Sequence, residues 1–158
     1  MVVSHEAANL KNTDADVEAF TDEAFGEFFM QKLGEAMEYK GEYATIIEVL
    51  TNVNHNAWLD SAVAYQEANY PDMKLVSAKT ETNADVNQAQ SVCEELLKTY
   101  PNLKGIMGTG SADVIGAGLA IENKGLTGQV AAIGCTSPND AAQYLDNGSI
   151  YMIGLRCV

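Results

Sequence analysis

Short polar side chains occur at five places in the sequence, each directly after a strand-like segment. They are Ser4-His5-Glu6, residues 51–56, residues 80–83, residues 109–111 and residues 136–137. Hydroxyl and amide groups both donate and accept hydrogen bonds, as the hydroxyl groups of a polyol do. Gathered at one place, these side chains would suit a neutral, oxygen-rich ligand. For any one of them alone, helix capping is the competing interpretation, because Ser, Thr and Asn are preferred N-caps.

The same segments do not contain the complete sequence motifs of the enzyme classes that they partly resemble. Residues 108–113 (GTGSAD) follow a strand as a phosphate loop does, but they lack the third glycine of GxGxxG and any Gly-Lys-Ser/Thr. No GxSxG elbow is present, and no nucleophile neighbours His55 in the sequence. We therefore expect no enzyme activity and no cofactor. A small α/β enzyme of flavodoxin-like or phosphate-binding type is the least favoured hypothesis.

The cysteines and histidines predict neither a metal site nor a disulfide framework. The sequence has an odd number of cysteines, and they are widely spaced: Cys93, Cys135 and Cys157. The two histidines, His5 and His55, are also far apart. A structural zinc site needs closely spaced ligand pairs such as CxxC, which this sequence lacks. Cys93 lies on the apolar stripe of a predicted helix and Cys135 ends a predicted strand. We expect both to be buried as small core residues.

From residue 42 onward, strand and helix patterns alternate along the chain. Strands are predicted at 43–50, 73–80, 103–109, 129–135 and 149–155, and helices at 56–68, 85–99, 112–123 and 138–146. Short strands at 2–4 and 17–20, a polar loop at 7–14 and a long helix come first. Thr21 caps that helix, which is expected to run to about Lys40 and to end at Gly41.

This order of elements predicts an α/β fold. Several strands are continuous apolar runs, which is typical of strands buried on both faces. Strands that alternate with helices form right-handed crossovers, so the expected architecture is a three-layer αβα sandwich around a mainly parallel sheet. The carboxyl ends of parallel strands share one edge, and ligands bind there. The polar segments are therefore expected to meet along one rim.

Length and charge narrow the function classes. The 158 residues suit a single domain, and 9 Lys+Arg against 22 Asp+Glu give a formal net charge of −13. We expect no nucleic-acid partner, because so acidic a chain has no basic surface to follow a phosphate backbone. The basic residues are scattered, and no apolar run is long enough to span a bilayer, so we expect neither a patch for an anionic membrane surface nor a membrane span.

Three segments, taken in order, resemble one protein family. They are residues 54–58 (NHNAW), residues 100–107 (YPNLKGIM) and residues 133–139 (IGCTSPN). The family is the type I periplasmic sugar-binding proteins of ABC importers, and the segments are most similar to the subgroup that binds rhamnose-like sugars and the furanosyl signal autoinducer-2. Family members have two α/β lobes joined by hinge strands, with the sugar held between the lobes. The resemblance covers residues 2–155 and implies the C-terminal lobe alone: one domain over residues 1–158, with an atypical tail at 156–158.

The resemblance also implies which residues contact the ligand. These candidate site residues are Glu6, Asn54, His55, Thr109, Gly110, Ser111, Thr136 and Ser137. The subgroup has an aspartate in place of Glu6, and its members have Asp-Gln where this chain has Asn54-His55. Many sugar binders have an aspartate where this chain has Thr136, so a charged anchor is missing from that position. A carboxylate accepts hydroxyl hydrogen bonds more strongly than an amide does, and these departures leave the particular sugar open.

The family implies a non-catalytic function in which the two lobes close on a sugar ligand and an ABC permease recognises the closed form. The expected location is periplasmic or cell-surface, as a lipoprotein, with any export signal outside this sequence. The ligand-sensing lobe of a LacI-type transcription regulator is the alternative, and the discriminating observation is whether a helix-turn-helix or a signal peptide lies upstream. A single lobe would also expose surface that normally faces its partner, so self-association is expected.

Overall fold

The computed structural model describes residues 1–5, 11–17 and 20–155. The strands are β1 Val3–His5, β2 Ala15–Val17, β3 Gly41–Ile47, β4 Met73–Leu75, β5 Thr80–Glu81, β6 Leu103–Met107, β7 Ala131–Cys135 and β8 Met152–Gly154. The helices are α1 Asp22–Ala36, α2 Val53–Asn69, α3 Val86–Thr99, α4 Ser111–Asn123 and α5 Pro138–Asn147. The predicted α/β fold with a parallel sheet is confirmed.

The order of strands in the main sheet determines where a crevice forms. The order is β4-β3-β6-β7-β8, with β5 also beside β3, and every pair is parallel. The chain leaves β3 toward one edge of the sheet and returns to continue on the other side, so its direction reverses between β3 and β6. Ligands of open α/β sheets bind at such a reversal, outside the carboxyl ends of the strands. Strands β1 and β2 form a separate two-stranded parallel sheet.

Two helix layers cover the main sheet. Helices α1 and α2 pack together on one face, and α3, α4 and α5 pack on the other. Neighbouring residues of β3 point to opposite faces, so Ile47 joins a core with Phe29 and Leu33 while Ile46 joins a core with Ile121. All of these side chains are essentially fully buried, which accounts for the apolar run in this strand.

The contact between α1 and α2 fixes the only tryptophan of the chain. A Cβ atom at Gly26 would lie 2.1 Å from the backbone oxygen of Trp58, so only glycine allows the helices to come this close. The Trp58 indole is buried against Phe25, with ring centroids 4.6 Å apart, and its Nε1 donates to Asp22 Oδ1 at 2.5 Å. Trp58 therefore packs beneath its own helix and does not offer a free ring face to the crevice.

Two predicted elements near the amino end have different limits in the structure. Helix α1 ends at Ala36 and not near Lys40, because Glu38 and Tyr39 adopt left-handed φ angles of 53° and 58° and the Tyr39 N–H donates to the Gly34 oxygen at 2.8 Å. The strand predicted at 17–20 is found at Ala15–Val17 as β2, and residues 18–19 lie outside the described residues. The same is true of residues 7–10 of the predicted polar loop.

The strand predicted at 73–80 is interrupted. Leu75 of β4 is opposite Tyr43 and Thr80 of β5 is opposite Ile46, so two extra residues separate the two short strands. Residues 76–79 bulge away from the sheet edge, and the Lys79 ammonium reaches Asp60 of α2 at 2.6 Å. Such interruptions are common at sheet edges, where a bulge prevents pairing with another chain.

The environment of Cys93 leads to a testable prediction. Cys93 is fully buried in α3, as expected, whereas Cys135 at the end of β7 is only half-buried. Burial raises the pKa of the Cys93 thiol, and the charge of nearby Asp113 raises it further. In a Cys135→Ser, Cys157→Ser variant, Ellman's reagent should therefore label Cys93 at least ~100-fold more slowly in native buffer than in urea. Rapid labelling of the native variant would contradict this packing.

Candidate ligand-binding site

Two of the five predicted polar segments, residues 109–111 and 136–137, contribute to one cleft at the carboxyl edge of the sheet, whereas residues 51–56 and 80–83 do not line it. The cleft has a volume of about 740 Å³. Glu48 follows β3, Ser111 opens α4 after β6, and Thr136 follows β7, and all three line this cleft. Ile115 of α4 and Tyr144 of α5 contribute apolar surface to its wall. The cleft thus lies at the reversal of strand order, where the fold places a ligand.

A buried carboxylate organises the strand ends beneath the cleft. Asp113, in the first turn of α4, has no exposed surface. Its Oδ2 accepts hydrogen bonds from the backbone N–H groups of Thr109 at 2.9 Å and Gly110 at 2.7 Å, and from the Thr109 hydroxyl at 3.2 Å. Its Oδ1 accepts a hydrogen bond from the Thr82 hydroxyl. Four donors therefore satisfy a charge that would otherwise be costly to bury.

The same network extends to β3. The backbone N–H of Glu48 donates to Thr109 Oγ1 at 3.3 Å, and the N–H of Thr82 donates to the Ile47 oxygen at 2.9 Å. The ends of β3, β5 and β6 are thus joined through Asp113 and two threonine hydroxyls. Thr109 is only 2% exposed and its hydroxyl is occupied within the protein, so this predicted site residue holds the loop in place.

Glu48 is a functional candidate that the sequence analysis missed. The predicted strand ran to Leu50, whereas β3 ends at Ile47, so Glu48 is the first residue beyond the sheet. Its carboxylate Oε2 lies 3.6 Å from His55 Nδ1, and a Cβ at Gly110 would come within 3.1 Å of its side chain. About a third of the Glu48 side chain is exposed. The sequence signal that could have marked the end of the buried strand at Ile47 is the charged residue directly after two isoleucines.

Asn54 and His55 lie in a helix and not in the loop expected for them. Helix α2 begins at Val53, and its N-cap is Asn52, whose side chain accepts the His55 N–H at 3.1 Å. The Asn56 side-chain amide donates to the backbone oxygens of Leu50 and Asn52, both at 2.8 Å, which closes the preceding loop. Asn54 and His55 are half-buried in this first turn. Asn52 is therefore the residue that caps α2. The ligand role predicted for Asn54 and His55 stays a prediction.

The remaining predicted residues differ in how free they are to meet a ligand. Ser111 is exposed. Thr136 is 3% exposed, and its Oγ1 has no hydrogen-bond partner among the described residues. The Ser137 hydroxyl is the N-cap of α5: it accepts the Asp140 N–H at 3.3 Å and donates to Asp140 Oδ2 at 2.7 Å. Glu6 lies outside the described residues.

The cleft is acidic. Glu48 and Asp140 line it, and no lysine or arginine does so among the residues that the structure describes. Within residues 1–5, 11–17 and 20–155, no group of three His, Cys, Asp or Glu side chains could hold a metal ion. The helices of the described part of the chain are too short or too polar to cross a membrane. The arrangement offers hydroxyl, amide and carboxylate groups for hydrogen bonding to an oxygen-rich ligand.

Comparisons with known proteins place this geometry in context. The family model described as "Periplasmic binding protein domain" matches residues 1–156. A carbohydrate transporter solute-binding protein from Agrobacterium radiobacter, solved with D-arabinose, superposes with a TM-score of 0.88 at 17% identity, covering 98% of this chain and 54% of that one. A solute-binding protein from Clostridium phytofermentas with bound L-rhamnose gives a TM-score of 0.85 at 23% identity, covering 98% and 49%.

A third solved structure is more similar in sequence. The ABC transporter solute-binding protein from Burkholderia graminis, in complex with D-arabinose, is 27% identical with a TM-score of 0.75. The alignment covers 82% of this chain and 45% of that one. The chain thus spans about half the length of the solved structures that it matches.

The Asp113 network leads to a testable prediction. In Asp113→Asn, one oxygen is replaced by an NH₂ group that faces N–H or hydroxyl donors and cannot accept from them. We expect the free energy of unfolding in urea to fall by about 2–4 kcal/mol. Asp140→Asn is the matched control, since Asp140 also accepts a hydroxyl in the first turn of a helix but is exposed, and it should cost less than about 1 kcal/mol. Equal losses in the two variants would refute the organising role of Asp113.

Proposed function

This chain belongs to the periplasmic binding protein domain family, and on that premise we propose that it is one lobe of a protein that binds a sugar or sugar-like furanosyl compound for an ABC importer. The observation that carries the proposal is the convergence of the ends of β3, β6 and β7 on one cleft at the reversal of strand order. Solved structures of this fold hold D-arabinose or L-rhamnose.

The described side chains suggest how a sugar would be held. The exposed Ser111 hydroxyl and the Glu48 carboxylate can accept hydrogen bonds from sugar hydroxyl groups, and Ser111 can also donate. Thr136 lines the cleft, and its Oγ1 is buried without a partner among the described residues, so a small shift of this side chain would let a sugar hydroxyl satisfy it. Asn54 and His55 would contribute from the first turn of α2. Glu6 and the backbone of Gly110 complete the proposed contact set.

Recognition would not involve a chemical step. The Thr109 and Ser137 hydroxyls donate to the carboxylates of Asp113 and Asp140, which hold them as a member of the strand-end network and as a helix cap. Binding energy would instead favour a closed arrangement of two lobes over an open one. The matched solute-binding proteins favour this transport role over a LacI-type regulator.

The proposal extends to partners and location. The full-length protein would deliver its ligand to an ABC permease and would act in the periplasm or at the cell surface as a lipoprotein. The conformation that encloses the ligand would be the one the permease recognises, since closure is the change that reports occupancy. This lobe offers only part of the ligand enclosure, so the isolated chain is expected to bind sugars weakly.

A spectroscopic experiment tests the binding itself. Saturation-transfer NMR on the 158-residue chain with L-rhamnose, D-arabinose, D-glucose and D-galactose should detect millimolar binding of at least one sugar. Absence of any saturation transfer from all four, at a protein concentration where the fold is intact, would contradict the proposal. Strong, submicromolar binding by this chain would contradict the role assigned to closure of two lobes.

Exposed apolar residues between β3 and the first turn of α2 predict self-association. Val53, at the start of α2, is 77% exposed and Leu50 is 49% exposed, although both are apolar. We expect sedimentation velocity to show dimers or larger species as the concentration rises into the range of ~100 µM. Val53→Lys should shift the distribution toward monomer. A clean monomer for the unmodified chain at all concentrations would refute this prediction.

Thr136 and Thr45 form a matched pair that separates binding from stability. Both hydroxyls are buried without a hydrogen-bond partner among the described residues, but only Thr136 lines the cleft. Replacing either by valine removes an unsatisfied polar atom, so each variant should gain up to about 1 kcal/mol of unfolding free energy. Thr136→Val should also weaken sugar binding about 5-fold or more, whereas Thr45→Val should not. Equal sugar affinities of the two variants would remove Thr136 from the site.

A further inference from the structure

We infer that Glu48 is the specificity-determining residue of this cleft, and that it selects neutral or amine-bearing sugars against sugars that carry an acid group. The inference rests on the proposed function and goes further by naming the class of sugar. It depends on three features of the structure: the position of Glu48, the way its side chain is held, and the charges around the cleft.

The position of Glu48 is the one that a ligand at this edge would approach. It follows the last residue of β3, the strand beside β6 where the strand order reverses, and its N–H donates to Thr109 just beyond β6. Its side chain lines the same cleft as Ser111 and Thr136. Its carboxylate can therefore contact a ligand that also lies against those two residues.

The Glu48 side chain is held on two sides. The missing side chain at Gly110 leaves the space against which it packs, since a Cβ there would approach Glu48 carbon atoms to 3.1 Å. Its Oε2 lies 3.6 Å from His55 Nδ1. A carboxylate that is already ordered loses little conformational freedom when a ligand binds, so its hydrogen bonds contribute more to affinity and selectivity.

The charge of Glu48 is not required by the fold. The backbone N–H of Glu48, and not its carboxylate, joins the network beneath the cleft through Thr109. Asp113 supplies the buried charge of that network. Removing the charge of Glu48 is therefore expected to leave the strand ends in place, and this allows its role in recognition to be measured alone.

The charges around Glu48 determine which ligands its carboxylate favours and which it disfavours. Asp140 is the second carboxylate of the cleft wall, and lysine and arginine are absent from the described residues of that wall. A sugar acid would bring a third negative charge into this space without a fixed cation to meet it, and such like-charge contacts reject the wrong ligand. A sugar hydroxyl donates to the carboxylate, and an ammonium group pairs with it.

The test uses sugars of one ring shape and three charges: D-glucose, D-glucosamine and D-glucuronate, together with their galacto counterparts. Dissociation constants for the 158-residue chain are measured by NMR titration at low ionic strength. The unmodified chain should bind the neutral or amine-bearing sugar at least ~10-fold more tightly than the acid. Glu48→Gln should reduce that ratio to about 2-fold, through a gain for the acid and a loss for the amine.

Glu42→Gln is the matched control. It removes the same charge near the start of β3, about 20 Å from Glu48 along the chain direction of that strand. The control should retain the selectivity of the unmodified chain, and unfolding in urea should give similar midpoints for both variants. A matching loss of selectivity in Glu42→Gln would overturn the inference, because it would assign the effect to net charge.

The outcomes separate the inference from the function on which it rests. Equal affinity of the unmodified chain for the neutral, amine-bearing and acid sugars would overturn the role of Glu48 and leave sugar binding standing. Unchanged selectivity in Glu48→Gln would do the same. Failure of every neutral sugar, L-rhamnose and D-arabinose included, would overturn the proposed function and the inference together.

Discussion

The candidate site depends on one buried carboxylate. Asp113 is fully enclosed, and it receives hydrogen bonds from two backbone N–H groups and two threonine hydroxyls. Through Thr82 and Thr109 it joins the ends of three parallel strands that come from separate parts of the chain. A buried charge is tolerated only when such donors are in place, so the loops that supply them are held in one arrangement.

This constraint explains why some polar residues of the rim are hydrogen-bonded within the protein while others line the cleft. Thr109, Asn52 and Ser137 use their side chains within the protein, as network member or helix cap. Ser111, Thr136 and Glu48 line the cleft, and none of their side chains is a member of that network or a helix cap. The hydrogen bonds of the internal set tie the loops to one another, and such ties favour a fixed geometry for the residues that line the cleft, as recognition of a small polar ligand requires.

Much of the fold could be predicted from the sequence, because its signals are local. The apolar runs predicted the parallel sheet. The helical spacing around Cys93 predicted α3, and the predicted burial of Cys93 in the core is confirmed. Errors arose where long-range contacts overrule local patterns. The run at 73–80 has strand character throughout, but its pairing with β3 admits two surplus residues and splits it in two. The end of β3 was placed three residues too far, which concealed Glu48 within the strand.

By itself, the sequence determined the α/β class, the parallel sheet and the presence of polar segments after the strands, since hydrophobic periodicity and residue type are sufficient for these. Only the tertiary structure decided which polar groups are available to a ligand. Thr109 and Thr136 are both buried threonines after strands, yet Asp113 engages the hydroxyl of one and not the other. Hydrogen-bond partners come from distant parts of the chain, and their positions exist only once the strands have been brought side by side.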